Sequence, residues 1–160
     1  MLVSWKFFYD LVLTVMGVGL FAYIDKARGT VTVASCICGC AAFIVSELLS
    51  ISLGNGFVMY FYSACVTCFL SEIGARMLRV PVTVILLPAI IPLVPGSLLY
   101  NSMRSLMIGG EEWYSLYGIE ALYATLGIGV AIVAISAFFR VSSSFIGHSK
   151  LLLSRMFISK

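Results

Sequence analysis

Charge is scarce in this sequence: ten Lys or Arg, seven Asp or Glu and one His in 160 residues, 11% charged against 61% hydrophobic. A soluble domain of that size cannot hide so much apolar surface inside itself, so the solvent of most side chains is lipid. The few basic residues are spread between apolar segments rather than clustered on one face. That excludes a nucleic-acid surface. His148 is the single histidine, with no nucleophile and carboxylate in register beside it, so no hydrolytic or transferase constellation assembles. A phosphate-cradling glycine loop and a paired metal motif are missing too. These absences argue against an enzyme and against a resident cofactor or metal.

Cysteine provides no framework either. Cys36, Cys38, Cys40, Cys65 and Cys68 all lie in apolar stretches, an odd number with no soluble secreted domain to staple. The run CICGC looks like a metal motif, but its thiolates would have to form in hydrocarbon with no His or carboxylate among them. On a helix, Thr32, Cys36 and Cys40 instead make a strip of small residues suited to close helix packing.

What remains is apolar. Five segments, 7–24, 31–49, 56–70, 81–108 and 119–139, approach or exceed the roughly 17–25 residues a crossing helix needs. The third is short and would reach full length by extending back to Ile51. The first runs into IDKARG without a small-residue cleavage site, which makes it a retained span rather than a signal peptide. The fold class is therefore all-α: a polytopic membrane protein of five transmembrane helices over residues 1–139, with a basic tail over 140–160. The longest polar stretches are the loop around GGEEWYS and that tail. RVSSSFIGHSKLLLSRMFISK reads as a short amphipathic helix at the interface, its basic residues near anionic headgroups and His148 an interfacial residue.

The basic residues orient the spans. Five crossings place Lys26, Arg28, Arg76, Arg79, Arg140, Lys150, Arg155 and Lys160 on one side, and Lys6 and Arg104 on the other. The positive-inside rule then puts the N-terminus outside and the C-terminus in the cytoplasm. Asp10, Glu47, Glu111, Glu112 and Glu120 fall toward the outer face, as do Trp5, Tyr9, Trp113, Tyr114 and Tyr117, an aromatic belt. Asn55, in GNG, marks a turn at that boundary. In the fifth span, Ala121, Thr125 and Gly129 form a small-residue ridge that predicts close packing on another helix, in this chain or a partner.

The fourth span carries the anomaly. LPAIIPLVPGSLLYNSM places Pro88, Pro92 and Pro95 within eight positions of an apolar stretch, where proline removes backbone donors and clashes one turn back. As one straight helix, residues 81–108 would be about 42 Å long, against a hydrocarbon core of about 30 Å. The centre falls near Val94 and Pro95, close to the midplane. Irregular backbone at that depth survives where protein buries it or where it lines a watery cavity, and carriers build substrate sites from such half-helices. A half-helix starting near Ser97, with Gly96 before it and Ser97 as N-cap, would aim free N–H groups and a positive dipole end at a carboxylate or other anion. Ser97, Asn101 and Arg104 recur at spacings of four and three and share one face. Arg104 is either an intramembrane ionisable group, functional by default, or a residue of the outer loop. The alternative for the prolines is a kink whose freed groups are satisfied by neighbours. Asp10, about one turn into the first span, is a candidate for proton coupling; Glu47 and Glu120 read as reaching outer water.

PAIIPLVPGSLLYNSM, in a five-span chain of this length, resembles the threonine/serine exporter family, and more closely the small membrane subunit of its two-component form. The family signature I-P-x-x-P-G, followed by a small or polar residue and Tyr, is matched by Ile91, Pro92, Pro95, Gly96 and Tyr100. The resemblance implies export of small amino acids such as threonine and serine, or, in some two-component members, of a dicarboxylate such as succinate. It implies a larger partner subunit and a bacterial inner membrane. The expected substrate-binding residues are Pro92, Pro95, Gly96, Ser97, Tyr100, Asn101 and Arg104. A homo-oligomer and a non-transporting scaffold subunit stay open as alternatives.

Overall fold

The computed structural model describes the backbone of residues 2–53, 56–108 and 111–158, and side chains over 5–52, 56–108 and 116–142. Within these residues the fold is all-helical: α1 (Leu2–Ile24), α2 (Gly29–Leu53), α3 (Phe57–Leu78), α4 (Val82–Ile90), a 3₁₀ turn (Ile91–Leu93), α5 (Gly96–Ile108) and α6 (Glu111–Ile158). Four helices are long and apolar enough to cross a membrane on their own. The bent pair Val82–Leu93 and Gly96–Ile108 makes a fifth span.

Two turns are built alike. Lys26 ends α1 and Arg79 ends α3, both in the left-handed region at φ 54° and 55°. In each, the following amide reaches back five residues: Ala27 N–H to the Ala22 carbonyl and Val80 N–H to the Ala75 carbonyl, both at 3.1 Å. These are the closing bonds of a Schellman-type C-cap, here without its usual glycine. Pro81 then cannot continue α3, and its fixed φ of −59° leads into α4.

Lipid tails are as apolar as leucine, so helices associate through close packing of small residues rather than by escape from water. The buried set reflects this: Ala22, Ala42, Ala64, Ala89, Ala124, Ala131, Ser35, Ser63, Thr67 and Ser71 are all fully buried. α3 lies between α2 and α6, α1 packs on α2, and α4 nests against α1, α2 and α3. α5 packs chiefly on α6, at the far side of the bundle. The break in the fourth span thus carries the chain from the middle of the bundle to its edge.

Several expectations are corrected. α3 lengthens forward to Leu78, not back toward Ile51, because α2 already takes the chain to Leu53. Its polar end is tolerated because the groups are paired: Arg76 sits 3.5 Å from Glu72 and its guanidinium lies 4.9 Å from the centre of the Phe139 ring. On α2, Thr32, Cys36 and Cys40 are half-buried, with Cys36 Sγ packed on α1 3.9 Å from the Val15 carbonyl oxygen, while the most deeply packed face is Val31, Ser35, Cys38, Gly39 and Ala42. Gly39 is the contact point, since a Cβ there would meet Val18 Cγ2 at 2.8 Å and lie 3.6 Å from the Ala89 carbonyl oxygen. On α6, Ala121 is buried but Thr125 and Gly129 are exposed; the packed ridge is Ala121, Ala124, Gly127 and Ala131. The helical backbone of α6 starts at Glu111, within the stretch expected as a loop, and runs unbroken through Arg140 to Ile158. Asn55 lies outside the described residues, as do the side chains of Glu111, Glu112, Trp113, Tyr114, His148, Lys150, Arg155 and Lys160.

Candidate functional site

The break is built in steps. Pro88, fully buried inside α4, has no N–H to give the Val84 carbonyl. The Ile91 amide then turns to the Pro88 carbonyl, and the Val94 amide to the Ile91 carbonyl at 3.1 Å, so the helix tightens into a 3₁₀ turn. Pro92 fits at the start of that turn, where its missing donor is not needed. Val94, preceding Pro95, is pushed to extended angles (φ −64°, ψ 124°) and the helix stops. Part of the proline damage is therefore repaired locally by bonds three residues back.

A new helix starts at once. The Pro95 carbonyl accepts from the Leu99 amide at 3.1 Å, which makes Pro95 the cap of α5. Ser97 therefore lies inside the first turn rather than capping it. α5 leaves at 51° to the preceding segment. With twelve residues before the break and thirteen after it, the two pieces are about 18 and 20 Å long and together rise about 30 Å along the first axis. The bend removes the overshoot that a straight helix would have.

The residues of the break divide by exposure. Pro95 is buried and Pro92 half-buried, whereas Gly96 and Ser97 are exposed. A Cβ on Gly96 would meet nothing within 4 Å. The Gly96 amide is bonded to the Val94 carbonyl at 2.8 Å, and from Ser97 on the first-turn amides of α5 lie at an open surface of the bundle, with the positive end of the helix dipole. Further along, Tyr100 is 67% exposed and Arg104 exposed on the same side, while Asn101 is half-buried toward the α6 side. Ser102 is buried against α6, its Oγ 3.5 Å from where a Cβ of Gly118 would stand. Arg104 is in the third turn of a helix and not in a loop.

Asp10 is placed elsewhere. It is half-buried on α1, in a cavity of about 470 Å³ between α1 and α2 lined also by Lys6, Phe7, Phe43, Ile44, Glu47, Leu48 and Ile51. Glu47, which the sequence places at an ordinary outer helix end, thus shares a cavity with Asp10. The signal was present in the spacing: 6, 7 and 10 lie on one face of α1, and 43, 44, 47, 48 and 51 on one face of α2. The five cysteines are free. Cys38 and Cys68 are buried, and Cys36 and Cys40 line a lipid-side groove with Val15. Among the described residues, no group of three or more His, Cys, Asp or Glu is placed to hold a metal ion.

A polytopic helical membrane protein, with one span broken to start a half-helix at an open face, has the architecture of a membrane carrier. The family model described as "Threonine/Serine exporter, ThrE" matches residues 10–138, and the chain belongs to that family. Searches of curated proteins and of solved structures returned no match.

Proposed function

We propose that this chain is the smaller membrane half of a secondary exporter for small carboxylate-bearing metabolites, threonine and serine or a dicarboxylate such as succinate. It works with a larger membrane subunit, in a bacterial inner membrane, with its N-terminus outside and its C-terminus in the cytoplasm. The observation that carries this is the start of α5. The Gly96 amide is taken by the Val94 carbonyl at 2.8 Å, and exposed Ser97 presents the next first-turn amide at a face that, among the described residues, no other helix covers, with Tyr100 and Arg104 on the same side. An anion site open to the membrane would be flooded by lipid, so a second subunit must close it. Membership of an exporter family favours transport over catalysis and over a passive scaffold. Pro92 and Pro95 shape the site. Ser97 and the α5 amides hold a carboxylate, and Asn101 and Arg104 contact the remainder of the substrate.

The test is uptake of labelled threonine, serine and succinate into inverted membrane vesicles. The chain is assayed alone and beside its candidate large subunit, with Arg104→Gln as comparison. Saturable uptake that needs both subunits and is lost in the variant is the expected result. Uptake by the chain alone would replace the heteromer by a homo-oligomer. A stable complex that moves none of the three would make the chain a scaffold with a locally repaired kink.

A further inference from the structure

We propose that the cavity between α1 and α2 is a charge-selective vestibule of the transport path, and that Asp10 and Glu47 there hold the ammonium group of a zwitterionic substrate. This rests on the exporter reading above and deepens it, since it separates amino acids from dicarboxylates.

The cavity's volume, about 470 Å³, falls in the range of small-molecule sites, roughly 300–1,000 Å³. Its charges come from both walls: Lys6 and Asp10 from α1, Glu47 from α2. Asp10 stands eight residues into α1 from Leu2 and is half-buried, and Glu47 six residues before the end of α2 at Leu53 and is exposed, as is Lys6. The two carboxylates line the cavity from opposite walls, about 9–12 Å in from their helix ends. No ion pair joins Lys6, Asp10 and Glu47. Ionised groups at that depth are costly against hydrocarbon and are kept where water or a ligand reaches them.

The cavity is linked to the break through α2. Phe43, at its inner end, contacts Phe7 with ring centroids 5.7 Å apart. The residue before it, Ala42, is packed in one buried cluster with Leu93, the last residue of the 3₁₀ turn. That turn touches both α1 and α2. Two carboxylates against one ammonium give the cavity a net negative field, which attracts an ammonium and repels a dianion. Lys6, one turn above Asp10, is left to meet the carboxylate of a zwitterion. Serine and threonine satisfy both ends; succinate does not.

The test reads the cavity itself. Ile44→Cys, in the full chain in membranes, is labelled with a cationic and with an anionic methanethiosulfonate, the unsubstituted chain serving as blank for the native cysteines. The cationic reagent is expected to react about tenfold faster. Lys6→Gln raises that ratio, and Asp10→Asn with Glu47→Gln brings it toward one. Millimolar serine slows the labelling and succinate does not. Labelling indifferent to reagent charge, or slowed equally by succinate, or slowed by neither, overturns the proposal. If the double variant fails to reach the membrane, the comparison of serine with succinate on the carboxylate-bearing chain decides alone. Serine protection without vesicle transport would sink the exporter reading and leave this site standing. Undiminished serine transport by the double variant would do the reverse.

Discussion

Three glycines separate packing from chemistry at single positions. Gly127 lets α6 cross α3 so closely that a Cβ would stand 2.9 Å from the Phe57 carbonyl oxygen and 3.2 Å from the Phe61 amide nitrogen. Backbone cannot step aside as a flexible side chain can, so Gly127→Ala should destabilise the chain by about 1–3 kcal/mol. Gly129 sits one half-turn away with nothing near it. There the same substitution should be neutral or stabilise the helix by about 0.5–1 kcal/mol, since only glycine's conformational freedom is removed. Thermal unfolding of the two variants in one detergent measures the contrast, and equal midpoints would disprove the close crossing. Gly96 is open as well, so Gly96→Leu should leave unfolding unchanged while abolishing export, because the added side chain fills the space in front of the α5 amides. Loss of both together would mark Gly96 as structural and remove it from the site.

At the scale of the helices, the prolines make a definite claim about geometry. Replacing Pro88, Pro92 and Pro95 together by Ala restores three donors and permits one continuous helix across residues 82–108. α5 would then swing away from α6, and the bend of 51° should largely disappear. Spin labels on Leu87 and Met107, both exposed, would report this as a longer separation with a narrower spread. An unchanged distance would mean that packing on α6, not proline, sets the bend. The same helices explain what the sequence disclosed and what it withheld. A break is legible because proline and glycine act on their own backbone, whatever surrounds them; the Ile91–Tyr100 signature and the overlong fourth segment both point to it. Which face of a helix packs is not legible when every face is apolar. Thr125 and Gly129 looked as suitable as Ala124 and Gly127, and only the position of α3 decides between them. The forward extension of α3 was hidden for a related reason: Glu72 and Arg76 read as loop residues until Phe139, sixty-odd positions later, supplies a surface for the arginine. Asp10 was noticed because it is charged, but its pairing with Glu47 requires the register of two helices.

For the molecule as a whole, the decisive feature is asymmetry. α4 is surrounded by α1, α2 and α3, whereas α5 leans on α6 and leaves Tyr100, Met103 and Met107 at 67%, 68% and 89% exposure. Apolar exposure alone is unremarkable in a lipid-facing helix. Here, however, the same side carries Ser97 and Arg104, and a charged side chain turned to hydrocarbon at the centre of a span is disfavoured by about 2.5–3.5 kcal/mol on insertion scales. That side is the one the proposed larger subunit would cover with polar groups of its own. Tyr100→Cys and Met103→Cys should react with a membrane-permeant thiol reagent when the chain is expressed alone and become protected when the larger subunit is present. Leu122→Cys, exposed on α6, should react equally in both cases. Protection of Leu122→Cys instead would move the interface from α5 to the open face of α6. Protection of Tyr100→Cys in the chain alone would show that a second copy covers α5, and the exporter would then be built from one kind of subunit.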